Sequence, residues 1–438
     1  MRRIRLIRGM GFFDSVMLGI GFIIGSGIFI MPLIAAEISG TYSIIAWVLG
    51  GIYQVITGLC FAECAIKIRK AGGLYTYAHR AFGDIVGFFA GWTFWIGYLI
   101  TIAAEQWAIG WYLQFFLPQV ALLVRVSIGV LTGLVLAYLN FRGVSIGGKV
   151  GDWLTVGKLF ALILFIVGAA LFFKIINFYP LLPASSSGIT STTALLTAIG
   201  ASTIVVLYAY LGEEIITVPD DEIKNAKKTV PKAVLISAVS TMIMYVIVVA
   251  AFLGASRWTN FVSSQSPLSD LFTAVTHSQL GGIIITIGGL ISIVGALNAV
   301  ILGTARISFA MSRDKLFPQI FSKIHPVHNT PYMALLIQTA LALILSYTET
   351  NFVALAALAV MFTLIPYALT SFATFKLIKK GGGEPSILRF RGTPIIAGIA
   401  SILLIFVYLS QTVVLEIAAI ILFLGLLVFI ERKKIRRL

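Results

Sequence analysis

The sequence predicts an all-α protein that crosses a membrane many times. Of its 438 residues, 59% are hydrophobic and only 11% are charged, and the mean hydropathy is +1.01. A soluble domain usually carries about 25% charged residues. The apolar residues form segments of about 20 residues, the length that a helix needs to cross a bilayer. The first segment is long and runs directly into a second, which argues against a cleaved signal peptide.

Twelve apolar segments are candidates for transmembrane helices. Their approximate limits are 11–35, 42–66, 84–117, 124–141, 150–173, 193–216, 232–254, 281–305, 332–347, 352–375, 393–410 and 413–430. The segment at 332–347 is short, and the segment at 84–117 is long enough to tilt or to extend past the bilayer. We therefore expect twelve transmembrane helices in a single membrane domain.

The net charge of +15 predicts how the chain is oriented in the membrane. With both termini in the cytoplasm, every Lys and Arg except Arg125, Lys158, Lys174 and Arg257 lies on the cytoplasmic side or at its border. The positive-inside rule then places a multi-pass protein in the cell membrane, where its basic ends can also attract anionic lipid head groups. Nucleic-acid binding would need a basic face on a soluble domain, which the sequence lacks.

The first apolar segment contains Gly25-Ser26-Gly27 near its middle. Glycine is a poor helix former, and serine competes for backbone hydrogen bonds. In lipid, freed backbone groups are tolerated only where protein or a watery cavity surrounds them. We therefore predict a helix break that faces a cavity, as in secondary transporters. The alternative is a patch of small residues where two helices pack closely.

The sixth segment has a similar interruption, over Tyr208–Glu214. If the first ten segments form two halves of five, segments 1 and 6 occupy corresponding positions. Because five is odd, the second half must be inverted in the membrane. Interrupted segments at equivalent positions of inverted repeats indicate a transport site. The sequence thus predicts a 5+5 inverted repeat followed by two C-terminal helices.

Four groups of residues in chain order resemble the motifs of one family. They are Gly25–Phe29 in the first segment, Ala62-Glu63 with Ala71–Tyr77 and Ala81–Gly83 around the 2–3 loop, Glu222–Asn225 with Val230–Ala233 around the 6–7 loop, and Ser312–Asp314 with Phe317-Pro318 and Thr330-Pro331 after the eighth segment. Together they resemble the amino acid–polyamine–organocation (APC) transporters, which have a LeuT-like fold. The resemblance implies a ten-helix transport core over 1–392, with repeats at about 11–175 and 193–376. Helices 11 and 12 and a basic cytoplasmic tail then occupy 393–438.

The first break also has a definite chemistry. Amides near Ser26 and Gly27, with the flanking Gly25, begin a half-helix, where the helix dipole and orphaned N–H groups favour an anion such as a substrate carboxylate. The carbonyls of Ile23 and Ile24, just before the break, suit an ammonium group.

In the sixth segment, the resemblance implies that Tyr208 is a gating aromatic residue. It also implies that Ala209 and Leu211 offer backbone carbonyls to the substrate amine, and that Gly212 permits the unwound backbone.

Lys158 is the only basic residue deep within an apolar segment. Ionisable groups inside a membrane are functional by default, although a lysine can also extend to the interface. The spacing from Asn140-Phe141 to Lys158 resembles that of proton-coupled family members, in which a lysine replaces a sodium ion. Gly295-Ala296 stands near the position where sodium-coupled relatives with this fold carry hydroxyl ligands. We expect Lys158 to carry the coupling proton.

Three acidic residues inside apolar segments are further candidates. Glu105 in the third segment could face the substrate, or it could be a buried structural hydrogen-bonding group. Glu214 matches a position that is often acidic in the family, and we include it with Lys158 as a proton-coupling residue. Glu213 stands where the family usually has an apolar or aromatic residue. Because adjacent residues point to different sides of a helix, the two acids cannot share one role; either could simply reach an inner aqueous vestibule.

These observations predict a secondary active transporter of amino acids that works by alternating access, coupled to protons and independent of sodium. A polyamine or cationic amino acid carrier or exchanger is the first alternative, because of the three buried acids. A channel or a transporter-like sensor is the second. The sequence shows no catalytic motif, so we expect no enzyme activity and no cofactor other than the coupling proton. Cys60 and Cys64 have neither metal nor redox spacing, and we expect no obligate protein partner.

Overall fold

The fold was analysed in a computed structural model. The structure describes residues 11–68, 72–143, 149–183, 192–217, 223–348, 351–380, 388, 390–409 and 412–437. The basic residues at 1–10, Arg69 and Lys70, and the motif residues Ala71 and Glu222, lie outside these ranges. The described residues form α-helices and short 3₁₀ turns without a β-strand, which confirms the all-α prediction.

Fifteen α-helices make up the described part of the chain. They are α1 (Phe12–Ile23), α2 (Gly27–Ser39), α3 (Ser43–Lys67), α4 (Gly73–Phe82), α5 (Asp84–Tyr112), α6 (Leu122–Phe141), α7 (Lys149–Ala170), α8 (Thr192–Tyr210), α9 (Ala226–Ala255), α10 (Pro267–Thr276), α11 (Gln279–Arg313), α12 (Tyr332–Thr348), α13 (Phe352–Lys380), α14 (Thr393–Leu409) and α15 (Thr412–Arg437). Each apolar segment of the sequence overlaps at least one of them. Among the described residues, seven helical stretches are long and apolar enough to cross a membrane.

Two short helices were not expected from the apolar pattern. α4 follows α3, and α10 follows α9. Each has ten residues and a strongly amphipathic sequence, which is why a search for long apolar windows passes over it. The basic tail is helical over its described residues, because α15 continues to Arg437.

The centre of the bundle is α5, which packs against α13, α11, α6 and α4. It is buried along most of its length, as expected for a helix that is apolar on all sides. The two helices on either side of the first break, α1 and α2, have different neighbours. The helix α1 packs against α9, α7 and α11, whereas α2 packs against α8. This arrangement brings the first and sixth apolar segments together beside α5.

Candidate functional site

The predicted break in the first segment is present. The helix α1 ends at Ile23, Ile24 is extended, and α2 begins at Gly27. Phe29 and Ile30 both donate their amides to the Ser26 carbonyl, at 3.0 and 3.1 Å. The first two amides of α2, on Gly27 and Ile28, have no helical acceptor because they precede the first full turn.

Close contacts explain why glycine stands on both sides of Ser26. A Cβ atom on Gly27 would lie 2.4 Å from the Ala209 Cα atom, and one on Gly25 would lie 3.0 Å from the Ala296 Cβ atom and 3.2 Å from Glu105 Oε1. Real Cβ atoms do not approach backbone at 2.4 Å. The small-residue packing that we weighed as an alternative therefore coexists with the helix break.

The carbonyl side of the break is covered by donors from three other helices. Lys158 Nζ, from α7, donates to Gly21 O at 2.7 Å and to Ile24 O at 2.8 Å. Ser292 Oγ, from α11, donates to Ile24 O at 2.8 Å, and Tyr245 OH, from α9, donates to Ile23 O at 3.1 Å.

The lysine side chain is 1% exposed. It ends at the break inside the bundle instead of extending to the membrane interface. Its amine also lies 3.7 Å from the position of a Cβ atom on Gly295, the residue at which sodium-coupled relatives were expected to carry a ligand. Among the described residues, no group of three or more His, Cys, Asp or Glu side chains could hold a metal ion.

The amide side of the break is occupied by a carboxyl group. Glu105 Oε1, from α5, accepts hydrogen bonds from Ser26 Oγ at 2.8 Å and from Tyr208 OH at 2.9 Å. The same carboxyl group also interacts with the Ser26 backbone. Glu105 is 3% exposed, and its Oε2 atom is buried without a hydrogen-bond partner among the described residues. The Glu105 carboxyl thus lies beside Ser26, which directly precedes the first turn of α2.

The second break lies slightly later than the sequence suggested. Tyr208 and Ala209 are still part of α8, which ends at Tyr210. The chain unwinds at Leu211 and Gly212, where Gly212 has a φ of +117°, a value that favours glycine. A 3₁₀ turn, Glu213–Thr217, follows. A Cβ atom on Gly212 would lie 3.1 Å from the Phe22 carbonyl oxygen of α1, so the two breaks are in contact.

The two acidic residues of this turn point to different sides, as predicted. Glu213 Oε1 accepts a hydrogen bond from Thr57 of α3 at 2.8 Å. Glu214 accepts hydrogen bonds from the hydroxyls of Tyr98 on α5 and Tyr367 on α13, and from the Gly212 amide at 3.2 Å. Both acids have no exposed surface, so in this structure neither of them reaches an aqueous vestibule.

A small, partly open cavity lies between the two breaks. Its lining residues come from α1, α2, α5, α8, the second break, the 3₁₀ turn and α11: Phe22, Ile23, Gly25, Gly27, Tyr98, Thr101, Glu105, Tyr208, Leu211, Gly212, Ile215, Ala296 and Val300. Most of these groups are apolar, and none is basic.

The structure brings together six of the predicted substrate-binding residues at this cavity. They are Ile23, Gly25, Gly27, Glu105, Tyr208 and Leu211. Ile24, Ser26 and Ala209 lie directly behind them and do not line the cavity. The predicted proton-coupling residues, Lys158 and Glu214, also stand outside its wall and each contact elements that form it.

Sequence reasoning missed several lining residues. Tyr98 and Thr101 precede Glu105 by seven and four positions, so helical spacing from Glu105 would have placed them on the same face of α5. Ala296 and Val300 are likewise four apart on α11. The family resemblance already pointed to Gly295-Ala296 on α11, and helical spacing from Ala296 would have added Val300.

Comparison with known proteins gives matches over most of the chain. Residues 10–430 match the model of a family described as amino acid permease. The branched-chain amino acid permease BcaP of Bacillus subtilis is 29% identical over 92% of this chain and 88% of its own length. The serine/threonine exchanger SteT of the same organism is 31% identical over 86% and 85%. The glutamate/serine transporter AimA is 29% identical over 90% and 75%.

Proposed function

Since the chain belongs to the amino acid permease family, as an integral multi-pass membrane protein of the APC superfamily, we propose that it is a secondary active transporter. It carries amino acids across the membrane by alternating access. The observation that carries this proposal is the pair of broken helices in contact beside one cavity. Discontinuous helices of this kind bind substrate and coupling ions in secondary transporters.

The proposed topology has twelve membrane spans in a 5+5 inverted repeat with two further helices. The broken spans α1–α2 and α8 with its 3₁₀ turn begin the two halves. The short helices support the repeat, because α4 and α10 each follow the second span of a half. The helices α14 and α15 lie outside the repeat. The distribution of Lys and Arg supports cytoplasmic termini in the cell membrane.

An amino acid substrate fits the first break by its carboxylate. The orphaned amides at Gly27 and Ile28 open α2 with the positive end of its dipole. The mainly apolar wall, which includes Phe22, Leu211 and Ile215, suits an uncharged side chain. The relatives named for branched-chain amino acids and for serine and threonine support a neutral substrate, whereas one is named for glutamate as well as serine. Of the three acids that favoured a polyamine carrier, only Glu105 lines the cavity.

We further propose proton coupling through Lys158 without sodium. The lysine amine links α7 to the carbonyl end of α1 and lies next to Gly295 of α11. A charged amine attracts carbonyl oxygens at the negative end of a helix. When the amine loses its proton this attraction weakens, and the bundle that holds α1 can move. Protonation of Lys158 is thereby coupled to the position of α1, the helix that also lines the cavity.

The first experiment is a binding screen followed by a transport assay. The purified protein is heated with each of the twenty amino acids and with putrescine and spermidine, because a bound ligand raises the melting temperature. Uptake of the best ligand is then measured in proteoliposomes with an inward pH gradient, an inward sodium gradient or neither. We expect a neutral amino acid to bind and to accumulate with the pH gradient alone. Accumulation driven only by sodium, or a substrate-independent ion current, would disprove the proposal.

A further inference from the structure

The carbonyls before the first break have little capacity left for a ligand. A carbonyl oxygen has two lone pairs. Ile24 O accepts hydrogen bonds from Lys158 at 2.8 Å and from Ser292 at 2.8 Å. Ile23 O accepts from Tyr245 at 3.1 Å and from the Gly25 amide at 3.0 Å. A substrate ammonium would have to displace protein donors to reach either oxygen.

Glu105 offers a different acceptor within the cavity. Its Oε1 atom is held by the hydroxyls of Ser26 and Tyr208, which fixes the orientation of the carboxyl group. Its Oε2 atom is buried and has no partner among the described residues. An unpaired carboxylate oxygen in an apolar site is costly unless a donor or a cation meets it.

No cation among the described residues donates a hydrogen bond to that oxygen. The cavity wall contains no Lys, Arg or His. The nearest lysine, Lys158, already directs its amine to Gly21 O and Ile24 O. A ligand that carries an ammonium group would supply the missing donor to Oε2.

We propose that Glu105 Oε2 accepts the α-ammonium group of the transported amino acid, in place of the carbonyls of Ile23 and Ile24. This inference rests on the proposed amino acid transport and specifies its binding site. The substrate lies with its carboxylate at the start of α2 and its ammonium against Glu105. A hydrogen bond between an ammonium and a carboxylate is about twice as strong as one between neutral groups. The site therefore selects for an amine, and a carboxylate alone binds weakly.

The Glu105→Gln variant isolates this interaction. The glutamine oxygen can keep the hydrogen bonds from Ser26 and Tyr208, because it can occupy the position of Oε1. Its NH₂ group then lies at the position of Oε2 and presents donors where the substrate also presents donors. The change thus removes the acceptor while it leaves the shape of the cavity almost unaltered.

The experiment compares ligands that differ in one charged group. The probes are L-leucine, 4-methylpentanoate, which lacks the ammonium, and 3-methylbutylamine, which lacks the carboxylate; alanine with propionate and ethylamine form a smaller matched set. Affinities are measured by calorimetry on the full chain in nanodiscs. We expect the wild type to prefer the amino acid over its des-amino analogue at least tenfold. In Glu105→Gln, the affinity for the amino acid should fall at least tenfold. Its preference for the amino acid over the des-amino analogue should fall to about threefold or less.

Controls separate this inference from the function on which it rests. Glu37→Gln removes a carboxyl far along α2 that accepts a hydrogen bond from the Ser263 amide, and it should leave both affinities unchanged. Glu105→Asp keeps the charge but withdraws it by one methylene, so it should retain part of the preference for the amine. It also serves as the second variant if Glu105→Gln does not fold.

Three results would overturn the inference. The first is a Glu105→Gln protein that binds leucine as tightly as the wild type does. The second is tighter binding of both leucine and 4-methylpentanoate, which would mean that Glu105 merely competes for the carboxylate site. The third is a wild type that does not prefer the amine. If the wild type binds no amino acid at all, the proposed function fails with it, and the result is distinct from the other three.

Discussion

The two helix breaks differ in the origin of the ionisable side chains that lie at them. At the first break, Lys158 of α7 covers the carbonyl end of α1 and Glu105 of α5 lies at the amide end of α2. These charges oppose the partial charges of the two helix ends. At the second break, the acids Glu213 and Glu214 belong to the unwound chain itself and reach outward to α3, α5 and α13.

This difference indicates separate roles for the two regions. The first break receives its partners from helices that pack around it, so a relative movement of those helices changes its hydrogen bonds directly. The acids of the second break belong to the unwound segment itself, so a movement of that segment would have to break the hydrogen bonds from Tyr98 and Tyr367. We therefore expect substitutions at the first break to affect coupling and binding, and substitutions at the second to affect stability and closure.

The largest expected effect tests the cation at the first break. Lys158→Ala removes both hydrogen bonds to the carbonyls of Gly21 and Ile24, together with the proposed proton carrier. Accumulation driven by a pH gradient should fall to the level of protein-free liposomes. Lys174→Ala, which removes an exposed lysine, is the matched control and should accumulate substrate normally. Undiminished gradient-driven accumulation by a folded Lys158→Ala protein would disprove the coupling role.

The next effect tests the contact between the two breaks. Gly27→Ala would place a methyl group 2.4 Å from the Ala209 Cα atom, so α2 and α8 must move apart. Overpacking of this kind costs about 1–3 kcal/mol, and we expect a lower melting temperature and at least tenfold slower uptake. Gly200→Ala, also on α8, meets nothing within 4 Å and should behave as the wild type. Equal melting temperatures and uptake rates of Gly27→Ala and Gly200→Ala would show that the close contact between Gly27 and Ala209 is not needed for stability or transport.

A smaller effect compares the two acids of the second break. The Glu214 carboxyl accepts three hydrogen bonds, and a glutamine has only one oxygen to accept them. At about 0.5–1.5 kcal/mol for each net bond, Glu214→Gln should lower the melting temperature clearly. Glu213→Gln can keep its bond from Thr57 and should lower the melting temperature less. Thermal unfolding of both purified variants, without ligand, checks the order, and the reverse order would contradict the assigned partners.

The smallest effect concerns the hydroxyl that steadies Glu105. Tyr208→Phe removes one hydrogen bond to Oε1 but leaves the bond from Ser26. A loss of about 1 kcal/mol corresponds to roughly fivefold weaker amino acid binding by calorimetry. Tyr210→Phe on the same helix removes a bond to the Trp47 carbonyl and should change stability without changing affinity. If Tyr210→Phe lost more affinity than Tyr208→Phe, the substrate would not bind against Glu105.

Part of the candidate site could be predicted because charged residues make up only 11% of this chain and a Gly-Ser-Gly run disfavours a helix. Gly25-Ser26-Gly27, Lys158 and Glu105 stand out against long apolar surroundings, and each lies at or beside the cavity. The partners of these residues could not be predicted in the same way. Ser292 and Tyr245 are ordinary residues of long apolar helices, and only the packing of α11 and α9 against α1 directs their hydroxyls to the break. Similarly, the second break starts at Leu211 instead of Tyr208, because α8 stays helical where it packs on Gly27.

The sequence by itself determined that the chain is helical, that it is built for a membrane and that two of its helices are interrupted. Composition and hydrophobic spacing decide these features locally, since an apolar helix satisfies its own backbone in lipid and a glycine weakens it at a fixed position. Only the tertiary structure decided which groups meet at the interruptions. The saturation of the Ile23 and Ile24 carbonyls and the free oxygen of Glu105 depend on helices that are far apart in the chain. Hydrogen bonds between such helices follow from how their faces pack, and no local pattern encodes that geometry.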